Sequence, residues 1–335
     1  MDIFMEKHKL GNSGLTVSAI GLGLAALGRP GYINLGHVCD LPDDYKVAAM
    51  ETHAHAVLDA AWAAGVCYFD AARSYGRAEH FLASWLSSRH IKPDEVTIGS
   101  KWGYIYTAGW QVEAEAHEVK EHSLAVLQRQ IQESRALLGP YLDLYQIHSA
   151  TLDSGVLDDE AMLAELARLR DEGLKIGLTL SGERQAETLQ KAMAIEFGGE
   201  RLFVSVQATW NLLEQSAGAT LHQAHEDGMG TIVKEALANG RLTPRNDDPA
   251  FAAKRALLEE VAAAKRTTID ALALAAVLAQ PWADVVLSGA ATIEQLHSNL
   301  AALQVEWDED TDQRLQSLVE RPEEYWTIRS QLSWN

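Results

Sequence analysis

Residues 66–76 read V-C-Y-F-D-A-A-R-S-Y-G. An apolar and aromatic run enters an aspartate, Asp70, and five positions later Tyr75 precedes a glycine. Val66, Tyr68 and Phe69 are strand formers. A short continuous apolar run of this kind reads as a strand covered on both faces. The reason for a carboxylate and a phenol at the end of such a strand has to come from the rest of the chain.

Moving outward, the same pattern recurs. Short apolar or β-branched runs lie at 17–22, 66–70, 96–101, 142–148, 175–181, 202–207, 230–235 and 284–289. Between them lie helical patterns: 54–64 stopped by Gly65, 119–138 stopped by Gly139-Pro140, and 160–172 stopped by Gly173. Two more, at about 249–264 and 268–279, precede the last strand. Eight strands alternating with helices are the count of a closed (β/α)8 TIM barrel, an α/β fold. Ahead of the first strand, H-K-L-G-N-S-G-L-T-V-S (8–18) reads as a β-hairpin turning at Asn12 to Gly14, placed to plug the bottom of the barrel. No low-complexity linker divides the chain, so residues 1–335 are expected to form a single barrel domain. Residues 29–50, punctuated by glycine and proline, read as a long first loop.

Composition narrows the function classes. With 47% hydrophobic residues, the 335-residue chain has material for a large core. A formal net charge of −19 argues against nucleic acid and anionic membranes as partners. Cys39 and Cys67 have no zinc or C-x-x-C spacing, and the opening M-D-I-F-M-E-K-H-K-L lacks a signal-peptide apolar run. A reduced, cytoplasmic protein is the expectation. The longest apolar run, 271–279, is too short to span a bilayer.

Two motifs mislead. G-L-G-L-A-A-L-G (21–28) contains G-x-G-x-x-A, a dinucleotide fingerprint that needs a helix directly after it. Arg29-Pro30-Gly31 and Gly36 break any helix there, and Asp43 stands in a loop beside Pro42 rather than at a strand end. A tight passage from strand to loop explains the glycines. His53 and His55 lie two apart, and neither they nor the pair His222 and His225, followed by Glu226, carry a third ligand at recognised metal spacing, so no metal site is expected.

Strand ends in a barrel converge on one mouth. Asp70 ends the second strand and Tyr75 follows it. Lys101 ends the third, in I-G-S-K-W-G, and His148 the fourth, in L-Y-Q-I-H-S. A phenol has a pKa near 10 and is a poor acid at neutral pH. A lysine ammonium beside it favours the phenolate and lowers that value. A carboxylate orients the lysine, and an imidazole hydrogen-bonds a carbonyl oxygen. Together they make a proton donor facing a polarised carbonyl.

These segments, with the opening K-L-G-N-S-G-L-T-V-S-A-I-G-L-G-L-A-A-L-G, resemble the aldo-keto reductase superfamily from about residue 7 to about residue 303. The resemblance implies Tyr75 as general acid/base, assisted by Asp70, Lys101 and His148. It implies hydride transfer from a nicotinamide cofactor held extended across the barrel mouth, with Gly23 at its edge. The cofactor segments depart from the family pattern. Ser181 and Gly182 stand where the family carries Ser-Asn against the nicotinamide amide. Gln207 matches the glutamine ending strand six, and Trp210 the position of a stacking aromatic. In V-K-E-A-L-A-N-G, Glu235 replaces the serine of the pyrophosphate segment, while Leu237 and Gly240 remain, and Lys234 is expected with them among the cofactor-binding residues. Glu235 is expected to turn away or to pair with Lys234 or Arg241. In L-S-G-A-A-T-I-E-Q-L-H-S-N, the residues Gly289, Ala290 and Thr292 form the adenosine-phosphate loop. Gln295 replaces an arginine on the 2′-phosphate, and Asn299 matches an adenine contact. The family favours NADP(H); the missing cation reduces that to a small margin and leaves NAD(H) open.

The substrate implied is a small carbonyl or alcohol. Trp102, Tyr104 and Trp110 crowd the loop after strand three, Tyr32 stands in the first loop, and the tail with Trp326 is placed to fold over the mouth. Aromatic walls with scattered polar groups suit a sugar-like or cyclic carbonyl. Two other readings remain: a non-catalytic nucleotide sensor or accessory subunit, and an unrelated barrel chemistry such as a metal-dependent hydrolase. The intact tetrad argues against the sensor, and the altered phosphate segment for it. Oligomeric state is not legible from the sequence.

Overall fold

The computed structural model describes residues 5–41 and 45–335. Asp43 and Pro42 lie outside the described residues, as do residues 1–4. All eight expected strands form: Ile20–Gly23, Tyr68–Asp70, Thr97–Trp102, Leu142–Ala150, Lys175–Leu180, Ser205–Thr209, Gly230–Lys234 and Val285–Ser288. They close into a parallel barrel in chain order, the eighth strand pairing with the first. The strands are short. Their stability comes from burial on both faces, because helices cover the outside.

The expected hairpin is present, Lys7–Lys9 pairing antiparallel with Thr16–Ser18. It closes the bottom of the barrel. The Asn12 amide donates to the Gly228 carbonyl at 2.8 Å, and His8 Nε2 lies 2.8 Å from the Asp284 carbonyl. Leu10 and Val17 of the hairpin pack with Tyr68, Leu144, Ile232, Val285 and Leu287 in an apolar layer inside the barrel floor. The misleading glycines have a packing reason. A Cβ at Gly21 would sit 2.8 Å from the Tyr68 ring, and one at Gly28 would sit 2.3 Å from the Tyr75 carbonyl. Gly28 therefore lets the first loop press against the turn that carries Tyr75.

Several helices differ from the periodicity. The first runs Val47–Ala63, starting earlier than expected. The expected helix at 119–138 begins only at Leu124, because Glu118–Lys120 instead pairs with Tyr104–Tyr106. This two-stranded excursion after the third barrel strand brings Tyr104 and Glu118 to the mouth. A final helix, Pro322–Ser330, packs back across the end of the seventh strand. None of the helices among the described residues is long and apolar enough to cross a membrane.

Candidate active site

Alternation along each strand decides what fills the barrel. Tyr68 points inward and Phe69 outward into the core between strands and helices. Two residues beyond each inward apolar residue stands an inward polar one: Asp70 after Tyr68, Gln146 and then His148 after Leu144, Lys234 after Ile232. The interior changes from apolar at the plug to polar at the mouth.

Asp70 is the hub of that polar layer. Its Oδ2 takes the Lys101 ammonium in an ion pair whose two side chains are buried. Its Oδ1 accepts from Gln207 Nε2 at 2.9 Å, the Tyr68 hydroxyl at 3.3 Å and Gln146 Nε2 at 3.4 Å. Lys101 also donates to the Ala71 carbonyl at 3.0 Å. A buried pair of this kind persists because its remaining donors and acceptors are satisfied.

Tyr75 stands above the pair. The Lys101 nitrogen lies 4.9 Å from its ring centroid, and its hydroxyl lies 3.5 Å from His148 Nε2. Burial pushes the Tyr75 phenol well above its ordinary range; Asp70 adds to the push and Arg29 opposes it. The net direction is upward, because burial and Asp70 outweigh the cations nearby. The phenol keeps its proton at neutral pH. Burial, with Lys101, Lys234 and Arg29, drives His148 well below the usual imidazole range, so that ring is neutral. Ser74 Oγ lies 3.5 Å from His148 Nδ1. With that hydroxyl donating to Nδ1, the ring hydrogen is on Nε2. Two donors, the Tyr75 O–H and the His148 Nε2–H, then face one spot, where a carbonyl oxygen accepts from both.

These groups open onto a cavity of about 600 Å³. Arg29, which sequence reasoning passed over, forms part of its wall and is 2% exposed. Its Nη1 donates to Glu118 Oε2 at 2.8 Å and to the Ser74 carbonyl at 3.1 Å. Its guanidinium lies 4.7 Å from the Trp334 ring centroid, 5.1 Å from that of Tyr75 and 5.3 Å from that of Tyr32. Trp334 stacks on His117 at 4.0 Å, and Asn335 exchanges two backbone hydrogen bonds of 3.1 Å with Tyr32. The tail does fold over the mouth, but through Trp334. Trp326 does not itself line the cavity but packs beside Tyr325, its ring centroid 5.5 Å from the Arg329 guanidinium and 6.0 Å from the Lys234 nitrogen. An arginine between Gly28 and Pro30 looks like a solvated turn in sequence, so no signal marked it.

The substrate-side aromatics separate. Tyr32 and Tyr104 line the cavity. Trp102 does not: it is fully buried, its ring edge-on to His122 at 5.7 Å. Trp110 does not either, since its indole N–H is tied to the Tyr45 carbonyl at 2.7 Å and its ring faces a separate surface pocket.

The cavity continues as a groove over the ends of strands six to eight. Gly23, Ser181, Gln207, Lys234, Glu235, Leu237, Gly240, Gly289, Ala290, Gln295 and Asn299, all named from the sequence as cofactor residues, line it. Gly182 and Thr292 stand off the wall; Thr292 caps the helix Ile293–Leu300 by accepting from the Gln295 amide at 3.2 Å. Trp210 packs edge-on against Trp282 at 5.7 Å, outside the groove. Of its two expected partners Glu235 meets Lys234, in an ion pair at 3.8 Å without a hydrogen bond, while its hydrogen bonds come from an arginine the sequence did not point to. Arg329 Nε donates to both of its oxygens at 3.0 Å, Lys234 is 3.8 Å away, and Arg241 is taken by Glu320. Gln295 Oε1 accepts from the Ala291 amide at 2.8 Å, and Asn299 donates to Ser288 Oγ at 2.8 Å, which fixes the last loop.

The groove fits an extended dinucleotide. Asn239 Oδ1 is buried on its wall without a partner, and a Cβ on Gly289 would meet nothing within 4 Å. The first turn of the helix Ile293–Leu300 opens onto the same space, and helix N-termini favour anions. At the far end Arg245 spends both terminal nitrogens on Asp40, at 2.7 and 2.5 Å, and the carboxylates of Asp270 and Glu294 stand on the wall.

A barrel whose mouth joins a phenol–imidazole–lysine–carboxylate cluster to a groove over the strand ends has the makings of an oxidoreductase site, and known proteins agree. A profile described as "Aldo/keto reductase family" matches residues 19–320, and the chain belongs to that family. It is 25% identical over 319 residues to the uncharacterized oxidoreductase YqkF of Bacillus subtilis (strain 168), covering 89% of this chain and 91% of that protein. Over 164 residues it is 31% identical to pyridoxal 4-dehydrogenase of Microbacterium luteolum, covering 43% of each. Among solved structures, the holo form of aldo-keto reductase AKR11C1 from Bacillus halodurans superposes with a TM-score of 0.73 at 23% identity, covering 95% of this chain and 97% of that one. That likeness supports the barrel fold. The chain is thus a member of a family of oxidoreductases acting between small carbonyls and alcohols.

Proposed function

We propose that this protein interconverts a small carbonyl and its alcohol, with Tyr75 as general acid and base. The observation that carries the reading is the 3.5 Å approach of the Tyr75 hydroxyl to His148 Nε2 at a cavity continuous with the groove. A nicotinamide dinucleotide in that groove supplies or accepts the hydride. His148 orients the substrate oxygen, and Tyr75 gives up its proton to it. Asp70 and Lys101 fix the position beneath the phenol, and Arg29 is the cation that opposes its raised pKa. We take NAD(H) as the better fit. The family leaning toward NADP(H) needs a free cation at the far end, whereas Arg245 is occupied and Asp270 and Glu294 oppose a 2′-phosphate. Tyr32, Tyr104 and Trp334 with Glu118, Arg29 and Ser149 make an aromatic pocket carrying a few polar groups, suited to a cyclic or sugar-like carbonyl.

The test is turnover of NADH and NADPH with a panel of aldehydes and cyclic ketones, wild type against Tyr75→Phe. Loss of turnover with cofactor binding retained supports the reading. Turnover undiminished in the variant overturns it.

A further inference from the structure

Lys234 ends the seventh strand and, by alternation with Ile232, points into the barrel mouth. It lines the same cavity as Tyr75, His148 and Leu237, and its charge is among those that act on His148. Its nitrogen donates to Thr209 Oγ1 at 3.0 Å. The neighbouring carboxylate, Glu235, is 3.8 Å away and is already held by the two-pronged Arg329 contact and by the Thr209 hydroxyl at 3.3 Å. The other cations on this wall each have a carboxylate in hydrogen-bond contact: Arg29 has Glu118, Arg245 has Asp40 and Arg329 has Glu235. Among the described cations lining the cavity, Lys234 alone has none. Burial pulls its ammonium down to about 8, which leaves it charged at neutral pH.

A buried cation short of a counterion selects between ligands that differ in charge. The oxidised nicotinamide ring is a cation and the reduced ring is neutral. Hydride transfer would require that ring beside the carbonyl held by Tyr75 and His148, which would leave the groove toward Asn299 for the rest of the dinucleotide. Lys234 lines the cavity they share. We propose that Lys234 sets its charge against the nicotinamide ring, so that this site binds the reduced cofactor in preference to the oxidised one. The inference rests on the nicotinamide reading above. In carbonyl reduction the ring gives up a hydride and becomes cationic, the carbonyl carbon gains the hydride, and the oxygen takes the Tyr75 proton. Lys234 then repels the product form of the cofactor, which favours its release and the reductive direction.

The test is equilibrium titration, followed by tryptophan fluorescence, of wild type, Lys234→Met and Lys234→Arg with NADH, NAD+ and ADP-ribose. Two unit charges about 6 to 12 Å apart at an effective dielectric near 20 alter an equilibrium about ten- to a hundredfold. The expected result is a ratio of oxidised to reduced dissociation constants that falls by about tenfold or more in Lys234→Met. Lys234→Arg should keep the ratio, and ADP-ribose, which lacks the ring, should bind all three proteins alike and so report an intact groove. An unchanged ratio in Lys234→Met overturns the proposal. So does a parallel loss of ADP-ribose affinity, because Lys234 would then grip a phosphate. If neither NADH nor NAD+ binds the wild type, the nicotinamide reading falls and the inference with it; if both bind and the ratio does not move, the inference alone falls.

Discussion

The two halves of the barrel mouth solve the burial of charge differently. At the ends of strands two to four, one carboxylate and one lysine neutralise each other, and glutamine and tyrosine donors from inside the barrel satisfy the remaining lone pairs of Asp70. At the ends of strands six and seven, Glu235 is held by an arginine from the final helix, and the adjacent lysine is left to a threonine hydroxyl. The first half is self-contained within the barrel. The second depends on a segment that crosses the mouth from 94 residues away. On the proposed reading, the chemistry that needs a fixed geometry belongs to the closed network, and ligand selectivity to the half in which Lys234 hydrogen-bonds a hydroxyl rather than a carboxylate.

The strongest way to break this comparison is Tyr75→Phe. Removing the proton donor should lower turnover about 10²–10⁴-fold while NADH affinity stays within about twofold. A comparable loss of NADH affinity would show that the two halves are not separable. The pH dependence sharpens the same point. Because the Tyr75 phenol is raised well above its ordinary value, its deprotonated fraction at neutral pH is small and grows with pH. Alcohol oxidation, which needs the phenolate, should therefore climb steadily from pH 7 into the alkaline range without a plateau. Carbonyl reduction should show no acid limb near pH 6.5, because His148 is held neutral well below that. Initial rates in both directions across pH 5–10 check both signs.

The next effect belongs to the strapped half. Glu235 is 8% exposed and Arg329 24% exposed at the side chain. Glu235→Gln leaves the Arg329 guanidinium facing Lys234 without its carboxylate. A fully buried broken pair costs about 3–5 kcal/mol, and partial exposure of Arg329 reduces that to about 2–3 kcal/mol. The double variant Glu235→Gln with Arg329→Met should recover part of the loss. Urea unfolding of the wild type, the two single variants and the double variant measures the coupling. Additive losses would mean that Arg329 does not hold the strand end. Glu235 also lies at φ 55°, a left-handed conformation that costs a non-glycine residue about 1–2 kcal/mol, so the contact offsets local strain.

Legibility in the sequence divides along the same line. Asp70, Lys101 and His148 end consecutive strands, so period-two alternation and strand count were enough to bring them together, with Tyr75 close behind. The eight strands and the plug were legible for the same reason: local apolar runs and turn residues specify them. Arg29, Glu118, Arg329 and Trp334 were not legible. Each reaches the site by long-range packing, and each looks like an ordinary surface residue in its own segment. Trp102 and Trp110 show the converse. They adjoin the mouth in sequence, yet the short pairing of Tyr104–Tyr106 with Glu118–Lys120 turns Tyr104 inward and leaves Trp110 outside.

A smaller effect tests the far end of the groove. Gln295→Arg adds a cation on the wall that carries Asp270 and Glu294, where the proposed reading sets the 2′ position. NADPH should bind about tenfold tighter and NADH within about twofold. Equal gains for both cofactors would place residue 295 away from the 2′ position. The gain is limited because Gln295 Oε1 also anchors the Ala291 amide, and arginine forfeits that bond.

The smallest predicted effect probes the closed half. Tyr68→Phe removes one of three donors to Asp70 Oδ1, and the weaker geometry of its 3.3 Å contact leaves Gln207, at 2.9 Å, as the main partner. Because Asp70 keeps Lys101 and both glutamines, the carboxylate is not stranded. Loss of a hydrogen bond whose acceptor stays satisfied costs about 0.5–1 kcal/mol rather than the full desolvation penalty. Turnover should fall by no more than about threefold, with the same pH dependence of oxidation. A loss approaching that of Tyr75→Phe would mean that the tyrosine hydroxyl, seated over Gly99 where a Cβ would come within 2.5 Å of it, fixes the height of Asp70 beneath the phenol. The catalytic half would then be a single-point support rather than a redundant network, and the contrast with the strapped half would fail.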